Sequence, residues 1–238
     1  MPLTRHLAAA LLCLFLVACG SAPRLSQRSI YGDRPGPKGF NTVIIDAGHG
    51  GKDSGARARG LVEKQLALDV AKRLRSELWP GYKVVLMRDS DFFVDLDQRV
   101  ARANRYGDAV LVSIHFNYGS RYRAGPETYY WRSDSYALAK RVQRNLSALA
   151  PYERDNAGLV RRRLRLTRNP ALPCILVECG YLTNAKEAAL VATSSYREKL
   201  AEAIARAIKD QARDGDAGMG PIPRPIYAPP SKAGDARG

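Results

Sequence analysis

The sequence predicts an α/β protein: a single three-layer α/β/α domain with a mostly parallel or mixed central sheet. Two observations carry this prediction. Short apolar runs rich in β-branched residues alternate along the chain with longer segments whose apolar residues recur at helical spacing. The apolar runs are nearly continuous, which is typical of strands covered by helices on both faces. Of the 238 residues, 41–213 form the predicted domain.

The first predicted strand is the apolar run at 42–46, which ends at a glycine-rich turn over 48–51. A helix is predicted over 61–79, because its apolar residues recur at a spacing of four along one face. These residues are Leu66, Val70, Leu74 and Leu78. The Pro-Gly pair at 80–81 ends this helix, and a second strand is predicted over 82–87.

The rest of the domain continues the alternation. Helices are predicted over 96–106, 134–149 and 194–213, and strands over 109–115, 127–131, 163–167 and 173–178. The last helix has Leu200, Ile204 and Ile208 in register. Arginine and leucine alternate at 163–167, which indicates a half-buried strand with its arginines facing outward.

The first eighteen residues have the pattern of an export signal. Arg5 precedes an apolar stretch of twelve residues at 7–18, which is too short to cross a bilayer as a mature helix. The sequence Leu-Val-Ala-Cys-Gly at 16–20 resembles the lipobox of bacterial lipoproteins, in which the chain is cut before a cysteine that then carries lipid. This resemblance implies a signal peptide at 1–18 and lipidation of Cys19. The alternative is an ordinary cleavage site followed by an incidental cysteine.

An exported, lipid-anchored protein is therefore expected. By analogy with enteric bacteria, Gly20 after the cysteine favours the periplasmic face of the outer membrane. Residues 19–40 hold the lipidated cysteine and a flexible tether rich in proline and glycine. Residues 214–238 contain five prolines and five glycines without periodicity, which predicts a disordered tail.

The cysteines of the domain are expected to be free thiols. Cys174 and Cys179 lie five residues apart in one predicted strand. Extended chain at about 3.3 Å per residue separates them by about 17 Å. A disulfide needs Cα atoms within about 7 Å, so we expect no intramolecular disulfide between them.

The chain is strongly basic, with 38 Lys and Arg against 23 Asp and Glu and a formal net charge of +15. Part of this excess lies at 119–170, which contains twelve basic residues and four acids. A solvated strand face is the favoured explanation for most of these basic residues. The alternative is attraction to anionic partners, such as stem-peptide carboxylates or lipid head groups near the anchor. A nucleic-acid role is disfavoured, because export keeps the protein away from DNA and the sequence has no recognition motif.

Candidate site residues lie where predicted elements begin or end. His49 follows the first strand, His115 ends the third and Glu178 ends the last. In open α/β sheets, ligand sites lie outside the carboxyl ends of the strands. A carboxylate that closes an apolar strand is costly to bury unless it is paired or used. Glu63 opens the first helix, where a carboxylate also suits the positive end of the helix dipole.

Two imidazoles, one ligating carboxylate and one further carboxylate match the composition of a catalytic zinc site. In such a site, the metal lowers the pKa of a bound water and the unligated carboxylate moves its proton. Each residue taken singly also has a structural explanation, as a hydrogen-bonded histidine, a helix N-terminal charge or a salt-bridged strand end. The spacings match no short zinc motif, and two histidines with one carboxylate could also hold Fe(II) in an oxygenase.

Four segments carry a more specific signal: VIIDAGHGG at 43–51, GLVEK at 60–64, SIHFN at 113–117 and VECGYLTN at 177–184. In this order they resemble the zinc-dependent N-acetylmuramoyl-L-alanine amidases of the Amidase_3 family. The linking sequence at 86–104 and the sequence GPETYY at 125–130 also look like this family. The resemblance runs from about residue 41 to residue 211.

The resemblance implies that His49, Glu63 and His115 bind one zinc ion per chain, and that Glu178 is the catalytic base and acid. Asn117 is a weaker candidate, which would hold the substrate or orient a ligand. The implied reaction is hydrolysis of the amide between N-acetylmuramic acid and L-alanine in peptidoglycan. The implied partners are the peptidoglycan substrate and, through the N-terminal lipid, a membrane.

Family members regulated by division-site activators carry a long helical insertion that covers the zinc. Only 63 positions separate His115 from Glu178, which is too few for that insertion. We therefore hypothesise that the enzyme is not self-inhibited and that an activator protein is possible but not required. The main alternative is a peptidoglycan-binding lipoprotein that retains the fold without catalysis. The presence of all four chemical residues argues against it.

Overall fold

A six-stranded sheet with helices on both faces organises the molecule. The computed structural model describes residues 29–149 and 158–234. In chain order its elements are β1 (Thr42–Ala47), β2 (Arg57–Ala58), β3 (Leu61–Val62), α1 (Glu63–Leu78), β4 (Lys83–Leu86), α2 (Leu96–Ala103), β5 (Ala109–Asn117), β6 (Glu127–Tyr130), α3 (Tyr136–Ser147), β7 (Gly158–Arg161), α4 (Arg165–Arg168), β8 (Cys174–Tyr181), α5 (Ala185–Ala192) and α6 (Ser194–Asp214).

The strand order in the sheet is β4-β1-β5-β8-β6-β7. Neighbouring strands are parallel, except that β6 runs antiparallel to β8. The predicted mixed sheet is therefore confirmed. Because parallel strands end at the same edge, the carboxyl ends of β1, β5 and β8 lie side by side. The register of β5 and β8 places His115 beside Glu178.

The side chains of the strands point alternately to the two faces of the sheet, and each face packs against helices to form a separate apolar core. Val43 and Ile45 of β1 belong to a large apolar cluster that includes buried residues of α1, α3 and α6. Ile44 points to the other face, where it packs in a smaller cluster with Ala103 of α2 and Leu166 of α4. Successive side chains of a strand point to opposite faces, so β1 serves both cores. The three-layer architecture is confirmed.

The N-terminus of α1 is fixed by neighbouring backbone rather than by a side-chain cap. The helix begins at Glu63, two residues later than predicted, because the preceding residues pair with β2 in a short hairpin. The Glu63 N–H donates to the Ala56 carbonyl (2.9 Å), and the Lys64 N–H donates to the Ser54 carbonyl (3.1 Å). These bonds satisfy two of the N–H groups that a helix N-terminus leaves free. They also hold Glu63 near the turn that follows β1.

The prediction of a strand at 163–167 is wrong, since the helical turn α4 lies there instead. Thr167 Oγ1 donates to the Arg162 carbonyl (2.7 Å) and accepts from the Leu164 N–H (3.1 Å). Local bonds of this kind favour turns and helix starts over strands. Leu166, Thr167 and Arg168 are buried in succession, whereas a half-buried strand would bury only every second side chain. The sixth strand of the sheet is β7, just before this segment.

The segment before β1 lies against the domain where the structure describes it, from residue 29 onward. The Arg132 guanidinium donates to the Ser29 carbonyl (2.8 Å), and the Gln211 amide donates to the Pro37 carbonyl (3.0 Å). Among the described residues, no helix is long and apolar enough to span a bilayer. The predicted signal peptide at 1–18 and the predicted lipidation site Cys19 lie outside the described residues.

The C-terminal segment differs from the predicted disordered tail. Residues 215–234 form no helix or strand, as expected, but they run along the domain. Arg168 Nε donates to the Ala228 carbonyl (3.0 Å), and Arg165 donates to the Lys232 carbonyl (2.8 Å). Arg165, which the predicted strand would have turned toward solvent, therefore binds a carbonyl of the C-terminal segment, and Arg168 does the same. The composition of the C-terminal segment does not reveal these hydrogen bonds, because the arginine donors lie sixty or more residues away in sequence.

Cys174 and Cys179 are free thiols buried in β8, as the strand geometry predicted. Burial raises the pKa of the Cys174 thiol to about 12. Burial also raises the pKa of the Cys179 thiol, and the nearby charge of Glu178 acts in the same direction. Because the thiolate is the reactive form, both side chains serve as core residues rather than nucleophiles.

Candidate metal centre

The three predicted metal ligands come together at the carboxyl edge of the sheet. Glu63 Oε1 lies 3.0 Å from His49 Nε2 and 2.9 Å from His115 Nδ1. One potential ligand atom from each of the three residues lies within 4.8 Å of the others. The residues come from the loop after β1, the start of α1 and the end of β5, so the fold alone brings them together.

Two glycines allow the loops to approach the ligand side chains. A Cβ on Gly48 would lie 2.3 Å from Cε1 of His115, and a Cβ on Gly55 would lie 2.4 Å from Oε2 of Glu63. Neither position can carry a side chain without moving a ligand. His49 itself has a left-handed backbone (φ 59°), which is uncommon for a residue other than glycine. The loop around His49 is therefore held in a specific conformation.

The Glu63 carboxylate is fixed in its ionised form. Its Oε2 accepts a hydrogen bond from the Ala56 N–H (2.7 Å), and its Oε1 accepts one from the Phe116 N–H (3.0 Å). Burial by itself raises the pKa of Glu63. The imidazoles of His115 and His49 outweigh burial and hold that pKa well below its usual range. An ionised carboxylate in this position is a suitable ligand for a cation.

His49 is oriented by Asp53, whose Oδ2 lies 2.9 Å from His49 Nδ1. Burial favours the neutral imidazole, but the carboxylates of Glu63 and Asp53 outweigh it, so the pKa of His49 is raised. A carboxylate on the outer ring nitrogen is the usual support of a metal-binding histidine. The inner nitrogen, Nε2, is buried and makes no aligned hydrogen bond within the described residues. It is therefore available as a ligand atom.

The donor set fits a divalent metal ion. Two imidazole nitrogens and one carboxylate oxygen form the ligand set of many catalytic zinc sites, which keep a further position for water. A cation would satisfy the buried Nε2 of His49 and neutralise the charge of Glu63. The spacing of the donor atoms, their burial and their chemistry all agree with this assignment.

Glu178 lies on the strand next to His115, and the two residues are paired in the register of β5 and β8. Paired residues on neighbouring strands point to the same face of a sheet. The Glu178 side chain is fully buried, and its carboxylate is not among the ligand atoms of the cluster. The structure thus places the predicted acid–base residue beside the metal ligands but outside their set.

A second buried carboxylate, which sequence reasoning did not single out, lies opposite Glu178. Glu127 of β6 is the antiparallel partner of Glu178. Its carboxylate accepts hydrogen bonds from the Tyr181 hydroxyl (2.5 Å), from the Tyr129 hydroxyl and from Arg123 Nη2 (3.2 Å). The motif at 125–130 contains Glu127, but nothing in its local spacing indicates these partners.

Asn117 belongs to the surroundings of Glu127 rather than to the ligand cluster. Its Nδ2 donates to Glu127 Oε2 (3.4 Å), and its Oδ1 accepts from the Tyr118 N–H (2.9 Å). It ends β5, where the register with β8 shifts. A role in substrate binding stays a prediction.

Sequence reasoning also missed a buried ion pair behind the site. Asp46 pairs with Arg99, and it accepts a hydrogen bond from the Ser113 hydroxyl (2.7 Å). All three side chains are buried. Asp46 lies in the first motif, but only the packing of α2 against the sheet reveals that Arg99 is its partner.

A cavity of about 490 Å³ opens beside the metal ligands. Its lining includes His49 and His115, Asp95 at the start of α2, and Gly234 near the end of the described tail. A volume of this size accommodates a small ligand or part of a polymer. The C-terminal segment therefore forms one edge of the candidate site.

Fold and site together define a class of protein: a three-layer α/β domain with a His₂Glu cluster that could hold a metal ion at the carboxyl edge, and a separate buried glutamate beside it. The model of one family, Amidase_3, described as N-acetylmuramoyl-L-alanine amidase, matches residues 43–210. The chain belongs to this family.

Relatives of known structure or sequence agree with this assignment. The structure of the amidase AmiC2 of Nostoc punctiforme is similar, with 40% identity and a TM-score of 0.67, over 73% of this chain and 97% of that chain. The amidase LytC of Bacillus subtilis is 34% identical over 192 residues, which are 78% of this chain but only 38% of LytC. CwlD of Clostridioides difficile, solved in complex with the GerS lipoprotein, has 29% identity and a TM-score of 0.67, over 71% of this chain and 97% of that chain.

Proposed function

We propose that this protein is a zinc-dependent amidase that hydrolyses the amide bond between N-acetylmuramic acid and L-alanine in peptidoglycan. The convergence of His49, Glu63 and His115, with Glu178 paired beside His115, carries the proposal. Family membership supports the amidase reaction, and the chemistry of the three donors supports zinc.

The residues have distinct roles in this mechanism. His49, Glu63 and His115 would hold one zinc ion, which when bound polarises the scissile carbonyl and makes a water more acidic. Asp53 fixes the ring of His49 through Nδ1, which leaves Nε2 directed toward the Glu63 carboxylate as a donor atom that would hold the ion. Glu178 accepts the proton of the attacking water and delivers it to the leaving amine of L-alanine. Burial of Glu178 keeps competing water away from this proton transfer.

Digestion of purified sacculi tests the function directly. We expect the protein to release stem peptides with free L-alanine amines, and a chelator to abolish the release until zinc is restored. Mass spectrometry of the soluble products identifies the bond that is cut. New reducing ends would instead indicate a glycosidase. Binding to sacculi without any product would favour the non-catalytic alternative.

We further propose that the protein is exported and anchored by lipid on Cys19 at the periplasmic face of the outer membrane. The lipobox-like sequence before Cys19 and the apolar stretch at 7–18 support this proposal. A chain with more than one acyl group at its N-terminus stays bound to a membrane. We expect Cys19→Ala to abolish incorporation of labelled fatty acid and to move the protein into the soluble envelope fraction. Labelling equal to wild type would contradict lipidation.

An activator protein is not required in this proposal. The short segment between His115 and Glu178 supports activity without a partner, because it leaves no room for a long occluding helix. The relative CwlD was solved in complex with the GerS lipoprotein, so partner binding does occur in the family. The sacculus digestion above uses purified protein alone. Inert protein that becomes active on adding a partner would therefore overturn this part of the proposal.

A further inference from the structure

We propose that Arg88 and Arg99 are positioning residues that hold the His49 loop in its metal-binding conformation. This inference rests on the proposed zinc site. Both side chains are almost completely buried, with 1% and 2% exposure. Together they bind the three successive carbonyls that lead from β1 into His49, and we call this arrangement the carbonyl clamp.

The carbonyl clamp satisfies backbone groups that have left the sheet. The Gly48 N–H still donates to the Ile114 carbonyl of β5 (2.9 Å), but beyond this bond the loop turns away. The Ala47 carbonyl accepts from both Arg88 Nε and Arg99 Nη1, each at 2.9 Å. Buried carbonyls need partners, and here the partners are guanidinium groups instead of a strand.

Each of the two arginines binds one of the next two carbonyls, those of Gly48 and His49. Arg88 Nη2 donates to the Gly48 carbonyl (2.8 Å), and Arg99 Nη2 donates to the His49 carbonyl (2.8 Å). The left-handed backbone of His49 persists only where its surroundings enforce it. The carbonyl clamp supplies this enforcement from both sides of the residue.

Arg88 also connects two ligand-bearing elements. The same Nη2 that binds the Gly48 carbonyl donates to the Lys64 carbonyl (2.7 Å) in the first turn of α1. Lys64 directly follows Glu63, so one nitrogen atom links the backbone beside two metal ligands. The distance between His49 and Glu63 therefore depends on this bridge as well as on the ligands themselves.

The carbonyl clamp needs the shape of arginine as well as its charge. A guanidinium has five N–H donors in a rigid plane, whereas an ammonium is a point charge on a flexible stem. The hydrogen bonds of Arg88 in the described structure all go to backbone carbonyls, at four different residues. A lysine at this position keeps the charge but cannot bridge Ala47, Gly48 and Lys64.

Zinc affinity of the purified full chain tests the inference, measured by competition with a chromophoric chelator. We expect Arg88→Lys and Arg99→Lys to weaken zinc binding by roughly 10–100-fold, the range known for groups that support metal ligands. The visible spectrum of the Co²⁺-loaded protein should change as well, because ligand geometry is altered. The matched control is Arg102→Lys, since Arg102 of α2 donates to the Met87 carbonyl outside the loop (2.9 Å).

Urea unfolding of the metal-free variants separates positioning from folding. We expect both variants to unfold at a lower urea midpoint than Arg102→Lys, because they leave buried carbonyls without partners. The inference predicts weaker zinc binding in the absence of urea, where the unfolding curve shows each variant to be fully folded. If Arg88→Lys does not fold, Arg99→Lys carries the test, because it keeps a positive charge opposite Asp46. Zinc affinity and Co²⁺ spectra equal to wild type in the folded variants would overturn the inference alone. A wild-type chain that binds no zinc would overturn it together with the proposed function.

Discussion

Glu178→Gln is expected to lower kcat on sacculi by roughly 10²–10⁴-fold, the contribution typical of a positioned general acid or base. Glutamine has nearly the same shape but cannot take a proton from water. Because Glu178 lies beside His115 and outside the ligand cluster, zinc affinity should stay unchanged. The measurement is the rate of stem-peptide release, together with zinc content after gel filtration.

A matched control for this variant is Glu202→Gln on α6, where the side chain is 44% exposed. Among residues 29–149 and 158–234, its one ion pair is a long contact to Arg206 (4.0 Å). We expect wild-type turnover from it. Undiminished turnover of Glu178→Gln would refute the proposed proton transfer. Loss of zinc in parallel with activity would show that Glu178 acts as a ligand instead.

Asp46→Ala is expected to lower the free energy of unfolding by about 3–5 kcal/mol, the cost of breaking a buried ion pair. Arg99 would stay buried without a charged partner, and the Ser113 hydroxyl would lose its acceptor. Urea denaturation of the metal-free protein measures this loss without any contribution from metal binding.

The control for the second prediction is Asp69→Ala. Asp69 pairs with Arg73 and Arg197, but its side chain is 36% exposed, so solvent screens both pairs. Exposed pairs of this kind contribute about 0–1 kcal/mol. Equal losses for Asp46→Ala and Asp69→Ala would show that the Asp46–Arg99 pair contributes no more than a surface contact.

Much of the fold could be predicted from the local pattern of apolar and polar residues in the sequence. The strands β1, β5 and β8 were predicted from continuous apolar runs, and α1 was predicted from its apolar face. These elements are buried on both sides or along one clear stripe, so burial itself determines their sequence. The strand predicted at 163–167 failed, because a leucine–arginine alternation that short also fits one turn of helix.

Some residues of the candidate site could likewise be predicted from the sequence, and others could not. His49, His115 and Glu178 were identified because they follow or end predicted strands, at the edge of an α/β sheet where ligand sites lie. A carboxylate such as Glu178 is also costly to bury at the end of an apolar strand unless it is paired or used. Glu127 and Arg99 were missed. Their roles depend on partners that are distant in sequence, Tyr181 for Glu127 and Asp46 for Arg99.

The sequence by itself determined the alternation of strands and helices, the family resemblance and the four candidate site residues, since each of these depends on a short stretch of chain. Only the tertiary structure decided how those residues are held. The carbonyl clamp, the Asp46–Arg99 pair and the C-terminal segment on its arginines all join groups dozens of residues apart. The physical reason is that an arginine that binds buried carbonyls leaves no periodic pattern of apolar and polar residues in the sequence. Its hydrogen bonds form only after the sheet and the helices have packed.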